Sequence, residues 1–151
     1  MADPGHARGG IYVIRPPTPR ELPACAEIFA AGQGEILPIG AGPSSPADFA
    51  TAVAGEQLTV AVGVTGTVAG FVSLWVPDRF VHFLHVRAAC RGRGLARRLL
   101  HHARRQAGGP LELKCLLGNA PALACYHRLG WYEVGRDLDA PLPFARLRQS
   151  G

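Results

Sequence analysis

The stretch from Phe80 to Ala107 constrains the chain most. An apolar segment ends at Val86, the turn Arg91-Gly92-Arg93-Gly94 follows, and an amphipathic segment opens at Leu95. Phe80 to Val86 is short and rich in β-branched and aromatic residues, so it reads as a strand. Leu95, Ala96, Leu99, Leu100 and Ala103 recur at helical spacing, with Arg97, Arg98, His101, Arg104 and Arg105 outside the stripe. A strand therefore stops and a helix starts across one Gly/Arg-rich turn. A helix start leaves N–H groups without partners and carries about half a positive charge. Gly92 and Gly94 bring no Cβ to hold a ligand off the backbone, and Arg91 and Arg93 add charge-assisted donors. The expected occupant is a pyrophosphate. The alternative for this segment alone is a plain turn followed by a solvated basic helix face.

Other phosphate loops fit less well. A Walker loop needs Lys-Ser/Thr where Leu95-Ala96 stand. The dinucleotide fingerprint wants Gly or Ala where Arg97 stands, and it follows the first strand of a parallel unit.

The surrounding pattern places this junction in a larger sheet. Ile11 to Arg15 reads as a first strand, and a helix follows from Arg20 to Ala31, with Thr18 and Glu21 at capping-box spacing. Gly32 to Ser45 is expected as a long loop, and Pro46 to Ala54 as a helix begun by Ser45-Pro46 and stopped by Gly55. Thr59–Val64, Val68–Val76 and Phe80–Val86 form a meander. Leu111–Leu116 is a strand, Asn119–Leu129 a helix with Asn119 as its N-cap, and Trp131–Arg136 and Ala145–Arg148 are late strands. A meander followed by strand–helix units implies an α/β (α+β) mixed sheet with helices on both faces. One domain spans residues 11–151, preceded by a flexible stretch over residues 1–10.

Composition narrows the partners. The four cysteines show no CxxC spacing and no compact Cys/His set surrounds them, so reduced thiols and no metal are expected. No signal peptide is visible and no apolar run is long enough for a bilayer, so a cytoplasmic protein without a membrane partner is expected. The formal charge is +5, and seven arginines fall between Arg87 and Arg105. That cluster favours a polyanion. A nucleic acid would meet the Arg-rich helix, but no aromatic interleaving or recognition motif accompanies it. His101, His102 and the outer arginines read as a solvated face.

Arg91-Gly92-Arg93-Gly94-Leu95-Ala96 resembles motif A of the GNAT superfamily of N-acetyltransferases, Q/R-x-x-G-x-G/A, with Arg91, Gly94 and Ala96 in the fixed places. Asn119 to Trp131, with Tyr126 and Gly130-Trp131, is similar to motif B. The resemblance implies the GNAT-like acyl-CoA N-acyltransferase fold: a central, mostly antiparallel sheet splayed between strands 4 and 5, here Phe80–Val86 and Leu111–Leu116. It also implies acetyl-CoA as co-substrate. Arg91, Gly92, Arg93, Gly94, Leu95 and Ala96 would hold the pyrophosphate, Leu84 and Val86 would pair with the pantetheine, and Asn119 and Tyr126 would lie beside it. A backbone N–H near Leu84 and Val86 would polarise the thioester carbonyl.

The activity implied is acetyl transfer to a primary amine, small molecule or peptide, by direct attack in a ternary complex. Tyr126 matches the family position of the general acid; packing under the cofactor is its other reading. Many members carry a Glu base on the fourth strand, which this chain lacks. Strict alternation puts His82 on one face with Leu84 and Val86, which makes His82 the candidate base or proton relay. Glu35 and Asp78 are candidates to meet a cationic amine, the alternative being plain surface carboxylates. The competing readings are a CoA-binding sensor without turnover and an Arg-rich nucleic-acid-binding domain. A monomer or homodimer is expected.

Overall fold

The computed structural model describes residues 11–151. The expected flexible stretch over residues 1–10 lies outside the described residues. β1 (Tyr12–Arg15), β2 (Gln57–Gly63), β3 (Val68–Trp75) and β4 (Phe80–Val86) run antiparallel, each to the next. β5 (Glu112–Leu116) is parallel to β4, and β6 (Trp131–Asp137) and β7 (Phe144–Gln149) complete a sheet in the order β1-β2-β3-β4-β5-β7-β6. Among the described residues the α-helical segments are α1 (Leu22–Ile36), α2 (Phe49–Ala52), α3 (Leu95–Ala107) and α4 (Ala120–Arg128). The expected mixed sheet with helices on both faces is what forms.

Each face of the sheet has its own core. On one, Leu95, Leu99, Leu100 and Ala103 of α3 pack on Ala61, Val72, Val81, Leu113 and Leu147, with Tyr126 and Leu129 beside them. On the other, Cys25, Ile28 and Phe29 of α1 and Phe49 of α2 pack on Val60, Val62 and Phe71. Phe29 meets Phe49 and Phe83 edge-on at ring-centroid distances of 5.6 and 5.1 Å, a favoured aromatic geometry.

The first helix runs further than its glycines suggest. It continues through Gly32 and Gly34 to Ile36, where a stop at Ala31 was expected. Gly32 faces β4, and a Cβ there would run into the His85 imidazole. The glycine therefore serves close helix–sheet approach rather than chain reversal. Gln33, on the same turn, joins His85 Nε2 at 2.9 Å and donates to the Pro43 carbonyl at 3.1 Å. The loop so pinned is shorter than the expected Gly32–Ser45 span.

The expected helix over residues 46–54 is also shorter. Pro46–Asp48 forms a 3₁₀ turn and only Phe49–Ala52 is α-helical. Asp48 Oδ2 accepts the N–H groups of Ser44 and Ser45, both at 3.1 Å, so the entry is capped as Ser45-Pro46 implied.

Two features of β4 position the site. It pairs with β5 only at Phe80–Glu112 and Val81–Leu113, after which the two strands part. It also carries a bulge: Ser73 lies opposite Phe83, but Leu74 lies opposite Val81, so His82 is an extra residue. Strict alternation fails there. Val81 packs with Leu84 and Val86 in the α3 core, while Phe83 packs with the α1 core. The expectation that His82 shares a face with Leu84 and Val86 is overturned, because the bulge resets the pleat between them.

Candidate active site

Where β4 and β5 part, a groove of about 860 Å³ opens between α1, α3 and α4. Arg87 N–H bonds the Ala69 carbonyl at 2.8 Å, toward β3. Strand alternation turns the backbone groups of Leu84 and Val86 the other way, into the split that β5 has left. The Leu84 groups and the Val86 N–H thus form an unpaired strand edge in the middle of a sheet, available to an extended ligand, while the Val86 carbonyl accepts from Arg91 Nε.

At the head of the split, Gly92 and Gly94 take φ of +78° and +76°, and a Cβ at either would meet no protein atom within 4 Å. The left-handed conformation is the reason for glycine here, and the space beyond is open. Consecutive N–H groups in such a turn form an anion-binding concavity. Among the described residues, no protein acceptor takes the N–H groups of Gly92, Arg93 or Gly94. The first turn of α3 adds Leu95, Ala96 and Arg97, whose N–H groups have no partner four residues back within the helix. This array of N–H donors suits an anion such as a pyrophosphate.

The side chains around the turn divide. Arg91 Nη2 donates to Glu35 at 3.1 and 2.9 Å, and its Nε donates to the Val86 carbonyl at 3.2 Å. Arg93 Nη1 donates to the Tyr12 hydroxyl at 2.8 Å, so its guanidinium points to β1 and it does not line the groove. The expectation of an Arg93 side-chain contact in the groove is corrected accordingly, and only its N–H remains near the turn. Glu35 lines the groove, whereas Asp78 sits in the 3₁₀ turn before β4 and does not.

Leu84, Val86, Arg91, Gly92, Gly94, Leu95, Ala96, Asn119, Tyr126 and His82 all line this one groove. Asn119 caps α4, its Oδ1 accepting from Ala122 N at 3.4 Å. Tyr126 leans on Trp131 at a centroid distance of 5.4 Å. Burial pushes its phenol well above the ordinary value, with the nearby Cys115 and Cys125 thiols adding to the rise. On the opposite wall, burial pushes the His85 imidazole down to about 4. Its ring stays neutral at ordinary pH.

One residue escaped the sequence. Glu56, just before β2, joins His82 Nδ1 through one carboxylate oxygen and accepts from the Ser73 hydroxyl through the other. Its side chain is 4% exposed, and burial raises its carboxyl while the His82 contact opposes that rise. Counting back through the meander register would have brought Glu56 to the end of β3, but only the bulge brings His82 to it. Among the described residues, no group of three or more His, Cys, Asp and Glu side chains could hold a metal ion. No described helix is long and apolar enough to cross a membrane.

The sequence model of the Acetyltransferase (GNAT) family matches residues 25–131, which takes in the split, the turn and α4. The chain belongs to that family. It is similar to streptothricin acetyltransferase of Streptomyces lavendulae, at 35% identity over 92 residues, 56% of this chain and 49% of the relative. The match thus spans about half the length of that protein. Among solved structures, apo YjaB of Escherichia coli superposes with a TM-score of 0.73 at 23% identity, covering 93% of this chain and 99% of that one. A GCN5-related N-acetyltransferase from Kribbella flavida gives a TM-score of 0.73 at 19% identity, covering 93% and 98%. At those identities the two structures establish the shared fold.

Proposed function

We propose that this protein transfers the acetyl group of acetyl-CoA to a primary amine, by direct attack in a ternary complex. The observation that carries the proposal is the left-handed Gly92/Gly94 turn, with its unpartnered N–H groups, at the head of the β4/β5 split. When bound, acetyl-CoA supplies an acetyl thioester with a good leaving thiol.

The chain's residues then have separable tasks. The N–H groups from Gly92 to Ala96 hold the pyrophosphate. The backbone of Leu84 and Val86 extends the sheet to the pantetheine arm, and an N–H there polarises the thioester carbonyl. Asn119, besides capping α4, reaches the same arm. His82 takes a proton from the incoming ammonium, leaving a neutral nucleophile. Tyr126 gives its phenolic proton to the departing sulfur and regains the one that the acylated nitrogen sheds. A phenol raised by burial is a weak acid in water. A thiolate leaving into the same dry site is raised by the same burial, which keeps the transfer feasible.

The protein is proposed to act as one domain over residues 11–151, as a monomer or homodimer in the cytoplasm. The streptothricin-acetylating relative favours a small-molecule acceptor over a peptide. The test is thiol release from acetyl-CoA across a panel of small amines and peptide N-termini. At least one amine is expected to give release above the hydrolytic background. Cofactor binding with no release for any amine would leave a CoA-binding sensor instead.

A further inference from the structure

His82 is held by an arrangement that the reaction scheme above does not require by itself. It is the extra residue of the β4 bulge, and its side chain is 44% exposed at the groove. Behind it, Glu56 is almost wholly enclosed and Ser73 wholly so. A row of polar groups thus runs from the core of β3 through the Glu56 carboxylate to the His82 ring. Phe80 and Phe83 flank that ring at centroid distances of 4.7 and 6.3 Å and limit its rotation. Among the described residues, Glu56 alone makes a hydrogen bond or ion pair with the ring. Of the other charged groups of the groove, Glu35 pairs with Arg91 and Lys114 lies over the Phe144 ring at 4.7 Å, while Arg97 and Arg128 line it without touching the His82 ring.

A buried carboxylate is costly unless it is hydrogen-bonded and paired. Here both oxygens are used, one on a serine with no exposure and one on a histidine that faces the groove. A carboxylate at Nδ1 keeps the proton on Nδ1 in the neutral ring, which leaves Nε2 as the accepting nitrogen.

We infer that Glu56 is a positioning residue for acetyl transfer, fixing the tautomer and orientation of His82 so that Nε2 accepts the proton of the amine, with Ser73 fixing Glu56 in turn. The inference rests on the reading of His82 as proton acceptor. The proton balance is simple. The ammonium N–H bond breaks as the Nε2–H bond forms, the imidazolium is paired with ionised Glu56, and the proton later leaves Nε2 for water. The second proton of the nitrogen returns to Tyr126 and balances the one given to sulfur.

The experiment has a spectroscopic arm and a kinetic arm. In the wild-type protein with ¹⁵N-labelled histidine, neutral His82 is expected to show Nδ1 protonated and Nε2 bare; the reverse tautomer overturns the inference without any variant. In Glu56→Gln the expected result is a mixture of tautomers, and kcat lower by roughly 10²-fold, the effect of a misplaced catalytic group, with KM for acetyl-CoA unchanged. Unchanged kcat and an unchanged tautomer in Glu56→Gln would overturn it, and so would equal loss of kcat and of cofactor binding, which marks a folding defect. His82→Ala separates this inference from its foundation. Wild-type turnover in His82→Ala would remove both. Loss of turnover in His82→Ala with full activity in Glu56→Gln would remove the Glu56 role alone.

Discussion

The Arg91 guanidinium at the head of the Gly92/Gly94 turn is bonded to the Glu35 carboxylate on the last turn of α1, at 3.1 and 2.9 Å. Both side chains are about half exposed, at 49% each. The pair ties the helix of one sheet face to the Gly92/Gly94 turn, and it sets a carboxylate next to the place proposed for a pyrophosphate.

Glu35→Gln therefore releases Arg91 and removes a like charge. Exposed pairs of this kind are worth about 0.2 to 1 kcal/mol, so affinity for CoA should rise about 1.5- to 5-fold at low salt. The difference should shrink as salt screens it. Calorimetric titration at two ionic strengths checks both. Weaker binding in the variant would mean that the pair preorganises the turn instead of competing for it.

Tyr126→Phe keeps the ring against Trp131 and removes only the hydroxyl. Positioned acid catalysis is worth about 10²- to 10⁴-fold, so turnover should fall by that order while CoA affinity holds. The check is single-turnover kinetics with the best amine of the panel. Near wild-type chemistry would assign the sulfur's proton to water or to substrate.

His85 gives a pH prediction for stability. Its folded value is about 4 against an ordinary 6.5, because burial penalises the charged ring. Above about 6.5 the ring is neutral in both states and its contribution is complete. As pH falls from 6.5 toward 4, the unfolded chain takes a proton that the folded one refuses, and stability drops. The accumulated loss is of order 3 kcal/mol. His85→Gln should lack this component, so wild type should lose more melting temperature than the variant between pH 6.5 and 4. Parallel slopes would contradict it.

What the sequence made legible was local. The Gly/Arg turn, the apolar stripe of α3 and the Asn119 cap each lie within one short segment, and the backbone follows from the segment itself. What it hid depends on distant partners. Gly32 reads as a helix stop until His85 is seen beneath it. Glu56 and His82 are 26 residues apart, and one extra residue in β4 decides whether they meet. Arg93 belongs to the turn by position, but Tyr12 takes its side chain from 81 residues away. Alternation along a strand carries no sign of a bulge, so it sets His82 on the face of Leu84 and Val86, whereas the bulge turns it to Glu56.

The most direct test of the account is the melting temperature with and without acetyl-CoA. Ligand at about 100 times its dissociation constant adds roughly 2.7 kcal/mol, a rise of about 5 to 10 °C for a domain of this size. Gly94→Asp should abolish the rise by placing a carboxylate at the proposed pyrophosphate site, while the strain of a non-glycine residue at φ +76° costs the free protein about 1 to 2 kcal/mol. Gly94→Asn, the same shape without the charge, should retain part of the rise. No rise for the wild-type protein in millimolar acetyl-CoA or CoA would contradict the account at its centre.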